Sequence, residues 1–392
     1  MIGCSSGNNS MDFESSIRST TVRYTSNYFA ISFYLGLVFL LFSANACSAA
    51  ERNPVVSYLE FIVDNDPQLK KALKTNLSAA AKEIPYWQDK TLEDLYRFFD
   101  AWLTTPLQPT KSWSGFDNGR IVNYSYVFWN YLDADPGLRV HNSFMGWMAL
   151  FMNANQQFMY TPQSARYVHQ WLGTYPKYMQ AFDVPKNGYP SFRAFFLRHL
   201  KSGARPIAKP LDGSPAVSPV DCKVSQTYAL HRDMVSVKDG RMNILDLLNG
   251  NDVAQLFAGG SAYTCNLNLF NYHRFHAPVS GRVVDIGQVG GIYYFDDNFS
   301  HLYSHRRAFV VFETEDMGHV ALVAVGQVMV NTISLDINTG DTVVKGEELG
   351  HFDFGGSEVV MIFQRNFSKM LPEIKSGAVL QLGQAIALSA SD

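Results

Sequence analysis

The chain has 392 residues, a formal net charge of −3, 47% hydrophobic residues and four cysteines. That size and apolar content support a large core and about two domains. The near-neutral balance, with no dense basic run, excludes nucleic acid as an expected partner, and so few cysteines exclude a disulfide scaffold.

The N-terminal segment reads as a targeting element. A continuous apolar run from Tyr28 to Phe42 follows Arg18 and Arg23 and leads into Ala44-Asn45-Ala46. A positive flank, an apolar run and small residues are the features of a secretory signal. Residues 1–46 are therefore expected to be a signal-like segment cut near Ala46, with Met11 as an alternative start. An uncleaved anchor is the other reading of the run, and Cys47 raises a lipid attachment point. The protein is expected to be exported: secreted, periplasmic or membrane-associated. Asn76, Asn123, Asn298 and Asn366 each open an N-x-S triplet, and pairing of Cys222 with Cys265 is left open.

From Pro54 to about Leu200 the pattern is helical. In "TLEDLYRFFDAWL" Thr91 is the expected N-cap, with Asp94 three residues on. Leu92, Leu95, Phe99 and Trp102 recur at helical spacing. "SFMGWMALFMNANQQFM" and "ARYVHQWLGTYPKYMQAF" are also expected to be helices, their Met and aromatic stripes being core, with "PTKSWSGFDNG" as a loop. After Lys201 short β-branched runs alternate with Gly, Pro, Asn and Asp, which predicts a mainly antiparallel β region. The expected strands lie in "KVSQTYAL", "SAYTCNLNLF", "GRVVDIGQV", "RAFVVFET", "HVALVAVGQVMV", "NTISLDI", "TVVKGEELGHFDF" and "SEVVMIFQ", and "ILDLLNGNDVAQLF" is a helical insert. The fold class is α+β, with a helical domain over 47–190 and a β domain over 191–392.

Several residues carry chemistry beyond packing. Gly355-Gly356-Ser357 between two apolar runs is, on its face, a hairpin turn. Yet a serine behind a sterically open glycine carbonyl can attack that carbonyl once a base takes its proton, and a histidine oriented by a carboxylate is the generalised base. His273 and His276 stand three apart in "YHRFHAP"; a core histidine is the ordinary reading of either alone, and Asp221 alone reads as a turn residue. His301 and His305 are spaced i, i+4, which binds a metal only on a helix and with further ligands, so no metal is expected.

Four segments in order, "FFLRHLKSGARPI", "SPVDCKV", "NYHRFHAPVSGRV" and "VVKGEELGHFDFGGS", resemble the phosphatidylserine decarboxylase family over roughly 190–392. The helical half with the Gly-Gly-Ser form is similar to the branch containing fungal tryptophan decarboxylases. The resemblance implies a zymogen that cuts itself between Gly356 and Ser357, leaving a larger β chain ending at Gly356 and a small α chain, 357–392. It implies that Ser357 becomes a covalent pyruvoyl cofactor serving as electron sink, with no pyridoxal phosphate. His276 and Asp221 take the roles of maturation base and its orienter, and His273 acts in turnover. The implied reaction converts phosphatidylserine to phosphatidylethanolamine; a free L-amino acid, aromatic or otherwise, is the alternative substrate, and an unprocessed binding protein is the reading from another class. The expected partners are phospholipid or small amino-acid substrate, the chain's own two fragments, a membrane surface and a second copy as a homodimer. Cys222 and Glu358 depart from the family, which has glycine and a small hydroxyl residue there.

Overall fold

Of residues 52–390, a computed structural model describes all but 107, 110–137, 139–140, 210–214, 231–233, 238–239, 251, 291–304, 327–331 and 354–356. The signal-like segment and most of the expected 109–119 loop lie outside the described residues.

The helical region opens with α1 (Pro54–Asn65) and α2 (Pro67–Glu83). Asp66 caps α2 by accepting from the Gln68 and Leu69 amides, and Pro67 needs no amide partner in the first turn. Next comes α3 (Leu92–Leu103), which carries the expected capping box, with Thr91 and Asp94 each accepting from the other's backbone amide. A long α4 (Asn142–Tyr160) follows. The run expected as one helix over 165–182 is broken. A 3₁₀ turn at Pro162–Tyr167 leads into α5 (Val168–Thr174) and then α6 (Pro176–Met179). Pro176 has no amide to continue the ladder, which ends α5 before it. The region closes with α7 (Phe192–Phe196).

Large aromatics fill this core. Phe99 meets Trp147 at 4.8 Å and Phe151 at 5.0 Å, both edge to face, the arrangement ring quadrupoles favour. Asn76 is fully buried in the same layer, so its N-x-S triplet offers no surface for a glycan.

The β region contains β1 (Ala216–Val217), β2 (Cys222–Ala229), β3 (Met234–Val237), β4 (Gly240–Asn243), the short α8 (Ile244–Leu247), β5 (Ser261–Leu267), β6 (Arg274–His276), β7 (Gly281–Val289), β8 (Arg307–Glu313), β9 (His319–Gly326), β10 (Ile333–Leu335), β11 (Thr342–Val343), β12 (Glu348–Phe352), β13 (Ser357–Phe363), β14 (Ser368–Met370), β15 (Val379–Leu380) and β16 (Ala385–Ser389). One antiparallel sheet runs β11-β7-β8-β9-β13-β5-β2-β15, flanked by β10-β12-β6, β1-β16-β14 and the β3-β4 hairpin. The fold is α+β, as expected. The expected strands are present; the sequence reading did not anticipate β1, the β3-β4 hairpin or β14–β16. These are two to five residues long and too short for alternation to show.

Strand β13 lies between β9 and β5 and is buried along its whole length. Val359, Met361 and Phe363 pack into one core on one face, while Val360 and Ile362 pack into another on the opposite face. That two-sided burial explains why "VVMIF" is uniformly apolar. Val55–Asp392 form one compact unit, and the helical core takes in Leu269, Tyr272 and Leu382 from the β region.

Candidate active site

Ser357 is the first residue of β13, opposite Leu267 of β5 and Gly326 of β9. Its side chain is fully buried, and Oγ has no hydrogen-bond partner among the described residues. Leaving a hydroxyl so buried costs about 1–3 kcal/mol. A reactive role is one explanation for a buried hydroxyl left in this way. The same orphaned Oγ, one residue after Gly356, fits a site at which this serine is converted to a pyruvoyl group.

His276 ends β6 and is nearly buried. Its Nδ1 lies 2.8 Å from the Gly346 carbonyl oxygen, and the Tyr272 hydroxyl lies 3.0 Å from Nε2. A carbonyl only accepts, so Nδ1 carries the hydrogen and Nε2 accepts from Tyr272. Burial holds this imidazole below the ordinary histidine range, outweighing the opposing pulls of the Gly346 carbonyl, Glu348 and, weakest, Asp221. The result is a neutral ring with a basic Nε2. Gly346 can present that carbonyl because its φ is +89°, a conformation open to glycine.

His273 precedes β6 and is fully buried. Its ring stacks on Phe196 with centroids 4.0 Å apart, and Nδ1 lies 2.9 Å from the Asn271 carbonyl oxygen. The Phe352 amide donates to the His273 carbonyl at 2.9 Å. His273 thus sits beside the segment that runs towards Ser357. The extended β6 follows it, and the two rings have separate partners. Arg198, fully buried, donates to the Phe270 and Asn271 carbonyls and fixes the turn from which both histidines project.

Asp221 stands just before β2, 3% exposed. The expectation that it orients His276 by a hydrogen bond is corrected here. Both His276 nitrogens are taken by Gly346 and Tyr272, and Asp221 is saturated by other donors. Arg205 reaches it through Nε at 2.9 Å from Oδ1 and Nη2 at 2.6 Å from Oδ2. The Leu382 amide donates to Oδ1 at 2.9 Å and the Tyr178 hydroxyl to Oδ2 at 3.1 Å. A two-pronged guanidinium outcompetes an imidazole for a carboxylate, and the Asp221 charge is the weakest of the influences on the His276 imidazole.

Asp353, directly before the undescribed 354–356, is 2% exposed. It accepts from Arg193 Nε at 2.7 Å and the Tyr160 hydroxyl at 3.2 Å. Glu358 is fully buried, and strand alternation turns it to the face of Val360 and Ile362, away from that of Ser357. Cys222 and Cys265 are free, buried thiols; burial, then the neighbouring Cys222, pushes the Cys265 thiol up. His305 Nδ1 lies 3.0 Å from the Gly326 carbonyl oxygen, while His301 is outside the described residues. Among the described residues no group of three His, Cys, Asp or Glu side chains could hold a metal ion.

The sequence model of a family described as phosphatidylserine decarboxylase matches residues 192–388. The chain belongs to the phosphatidylserine decarboxylase family. Its members are carboxy-lyases, and the matched stretch contains Asp221, His273, His276 and Ser357. A phosphatidylserine decarboxylase proenzyme of Bacillus thuringiensis is 35% identical over 230 residues, which is 54% of this chain and 84% of that protein. A proenzyme of the same name from Fusobacterium nucleatum is 31% identical over 215 residues, 53% of this chain and 71% of that protein. Phosphatidylserine decarboxylase proenzyme 3 of Schizosaccharomyces pombe is 32% identical over 213 residues, and the match spans 22% of its length and 53% of this chain.

Sequence reasoning missed Tyr272, Arg205, Gly346, Tyr178, Arg193 and Asp353. Tyr272, Arg205, Gly346 and Asp353 stand inside the quoted family segments, so the signal was there without a role attached. Tyr160 and Tyr178 sit in aromatic stripes indistinguishable from core.

Proposed function

We propose that this chain is a decarboxylase zymogen that cuts itself between Gly356 and Ser357, and that the mature protein converts phosphatidylserine to phosphatidylethanolamine. The single observation that carries the reading is the buried Ser357 hydroxyl, which has no hydrogen-bond partner among the described residues. It opens a central strand directly after two glycines, in a chain that belongs to this family. His276, neutral and with its hydrogen on Nδ1, offers Nε2 as the base once the Tyr272 hydroxyl turns away. Proton removal lets Ser357 Oγ attack the Gly356 carbonyl, so the amide bond gives way to an ester. Loss of the α-proton of residue 357 then expels the Gly356 carboxylate, and hydrolysis releases ammonia and leaves the ketone. The pyruvoyl group so formed supplies a sink for the electron pair freed as CO₂ departs. His273, beside the approach to Ser357, holds the proton returned to carbon. Asp221 stabilises the charge His276 gains.

The names of the relatives support a phospholipid over a free aromatic amino acid, and a lipid substrate requires access to a membrane surface. The apolar run at Tyr28–Phe42 supports export by way of the signal-like segment 1–46. Among the described residues no helix is long and apolar enough to cross a membrane. The test is product formation. Purified protein given phosphatidylserine liposomes is expected to yield phosphatidylethanolamine and CO₂, with free tryptophan and serine giving no amine. Amine from the free amino acids, with none from liposomes, overturns the substrate assignment.

A further inference from the structure

The helical region before residue 192 lies outside the stretch matched by the family's sequence model, yet it sends two hydroxyls to buried carboxylates of the β region. From the C-terminal residue of α4, Tyr160 donates to Asp353 at 3.2 Å. From α6, Tyr178 donates to Asp221 at 3.1 Å. Asp353 follows β12 and is the last described residue before Ser357, and Asp221 is a carboxylate whose charge favours the protonated form of His276.

We propose that the helical region is a built-in maturation element, in which Tyr160 fixes the strand entering the cleavage point and Tyr178 fixes the acid behind the base. The inference rests on the self-cleavage reading above.

Each contact is more than incidental packing. The Tyr160 ring carries the Arg193 guanidinium 4.6 Å above its centroid, and that guanidinium is itself 2.7 Å from Asp353. Tyr160, Arg193 and Asp353 thus form a closed triangle, in which one carboxylate is held by a cation and a hydroxyl at fixed angles. The backbone is held at the same place, because the Asp353 amide donates to the Thr332 carbonyl at 3.0 Å. Three residues separate this anchor from Ser357 in sequence. At the other carboxylate, Arg205 and the Leu382 amide fix two directions. Tyr178 supplies a third, while the ring of Tyr178 packs edge to face on Phe270 at 5.8 Å. A hydroxyl that contributes only geometry can be removed with its ring left in place, which separates positioning from packing.

The experiment measures the first-order rate of self-cleavage of the full-length chain on denaturing gels, for Tyr160→Phe, Tyr178→Phe and the double variant. Each single variant is expected to slow cleavage about tenfold, the scale of one hydrogen bond to a charged group. The double variant is expected to slow it by the product of the two, because the hydroxyls serve different carboxylates. Tyr160→Phe added to Asp353→Asn is expected to cost nothing further, an outcome general loosening of the fold would not give. Unfolding of each variant in the uncleavable Ser357→Ala background reports stability in one covalent state. It is expected to move too little to account for the rates. Cleavage of both single variants at the wild-type rate overturns the proposal, as does slowing that tracks lost stability. A wild-type chain that never cuts overturns the self-cleavage reading itself, a result distinct from either.

Discussion

The helical and β regions bury different kinds of polar group. In the helical region Asp66 and the Thr91–Asp94 box satisfy orphan amides in contact with solvent, and among the described residues the aromatic interior encloses only neutral polar side chains, Asn76, Asn155, Gln156 and Ser164. The β region instead buries Ser357, Glu358, Asp221, His273 and His276, each under a tenth exposed. A sheet of this kind gains nothing in stability from a buried Ser357 hydroxyl without a partner. Buried reactive side chains are common where a protein acts, and Asp221, His276 and Ser357 stand where β2, β6 and β13 begin or end. Apart from the Tyr160 and Tyr178 hydroxyls that it sends to Asp353 and Asp221, the helical region is organised for stability, and the strand ends for chemistry.

The sharpest way to break that contrast is to remove the orphan hydroxyl. Ser357→Ala is expected to leave the chain intact and wholly inactive while unfolding at least as hard as wild type, since a buried unsatisfied oxygen is lost; processed Ser357→Ala on a denaturing gel would end the account.

Next come the two groups behind the serine. His276→Ala and Asp221→Asn are both expected to accumulate uncut chain. Asp221→Asn is also expected to unfold more easily, by about 3–5 kcal/mol, because the buried Arg205 guanidinium loses its counter-charge. His273→Ala is expected to cut normally and then turn over about 10²–10⁴-fold more slowly, the range of one general acid. If His273→Ala stays uncut while His276→Ala matures, the two roles are reversed.

A smaller effect is expected in the pH profile of cleavage. The base form of His276 is the working form, and burial lowers its affinity for a proton from the usual 6.5. The cleavage rate should therefore hold as pH falls through 6.5 and decline only below it. The same depression makes the unfolded chain bind this proton first, so its contribution to stability is lost as pH falls below the unfolded value. An acid limb centred above 6.5 would show that another group governs the step.

The smallest effect belongs to the helical side. Thr91→Ala is expected to lower stability by about 1 kcal/mol and to leave the cleavage rate of the folded protein unchanged. A large loss of cleavage in this variant would erase the division between the two regions.

Much of this was legible from residue pattern. The Thr91 cap follows from spacing alone, and so do the strands of the central sheet other than the two-residue β15, because alternation and uniform apolar runs report how many faces a strand buries. The site residues were legible as a set through "YHRFHAP" and Gly-Gly-Ser. Their wiring was not. That Gly346 rather than Asp221 meets the His276 ring depends on a left-handed turn 70 residues away in sequence. That Arg205 claims Asp221 depends on a loop folding back across 16 residues. The break before Pro176 was written in the proline and passed over, since flanking apolar periodicity continues through it. Tyr160 and Tyr178 could not be told from core rings, because a hydroxyl's partner is a fact of tertiary structure.

The most direct test of the central claim is the intact mass of purified wild-type protein under denaturing conditions, with sequencing of the smaller species. The account predicts two chains. One ends at Gly356, and the other begins at residue 357, resists stepwise N-terminal degradation and gains mass with phenylhydrazine. A single full-length chain in protein that decarboxylates its substrate would contradict it.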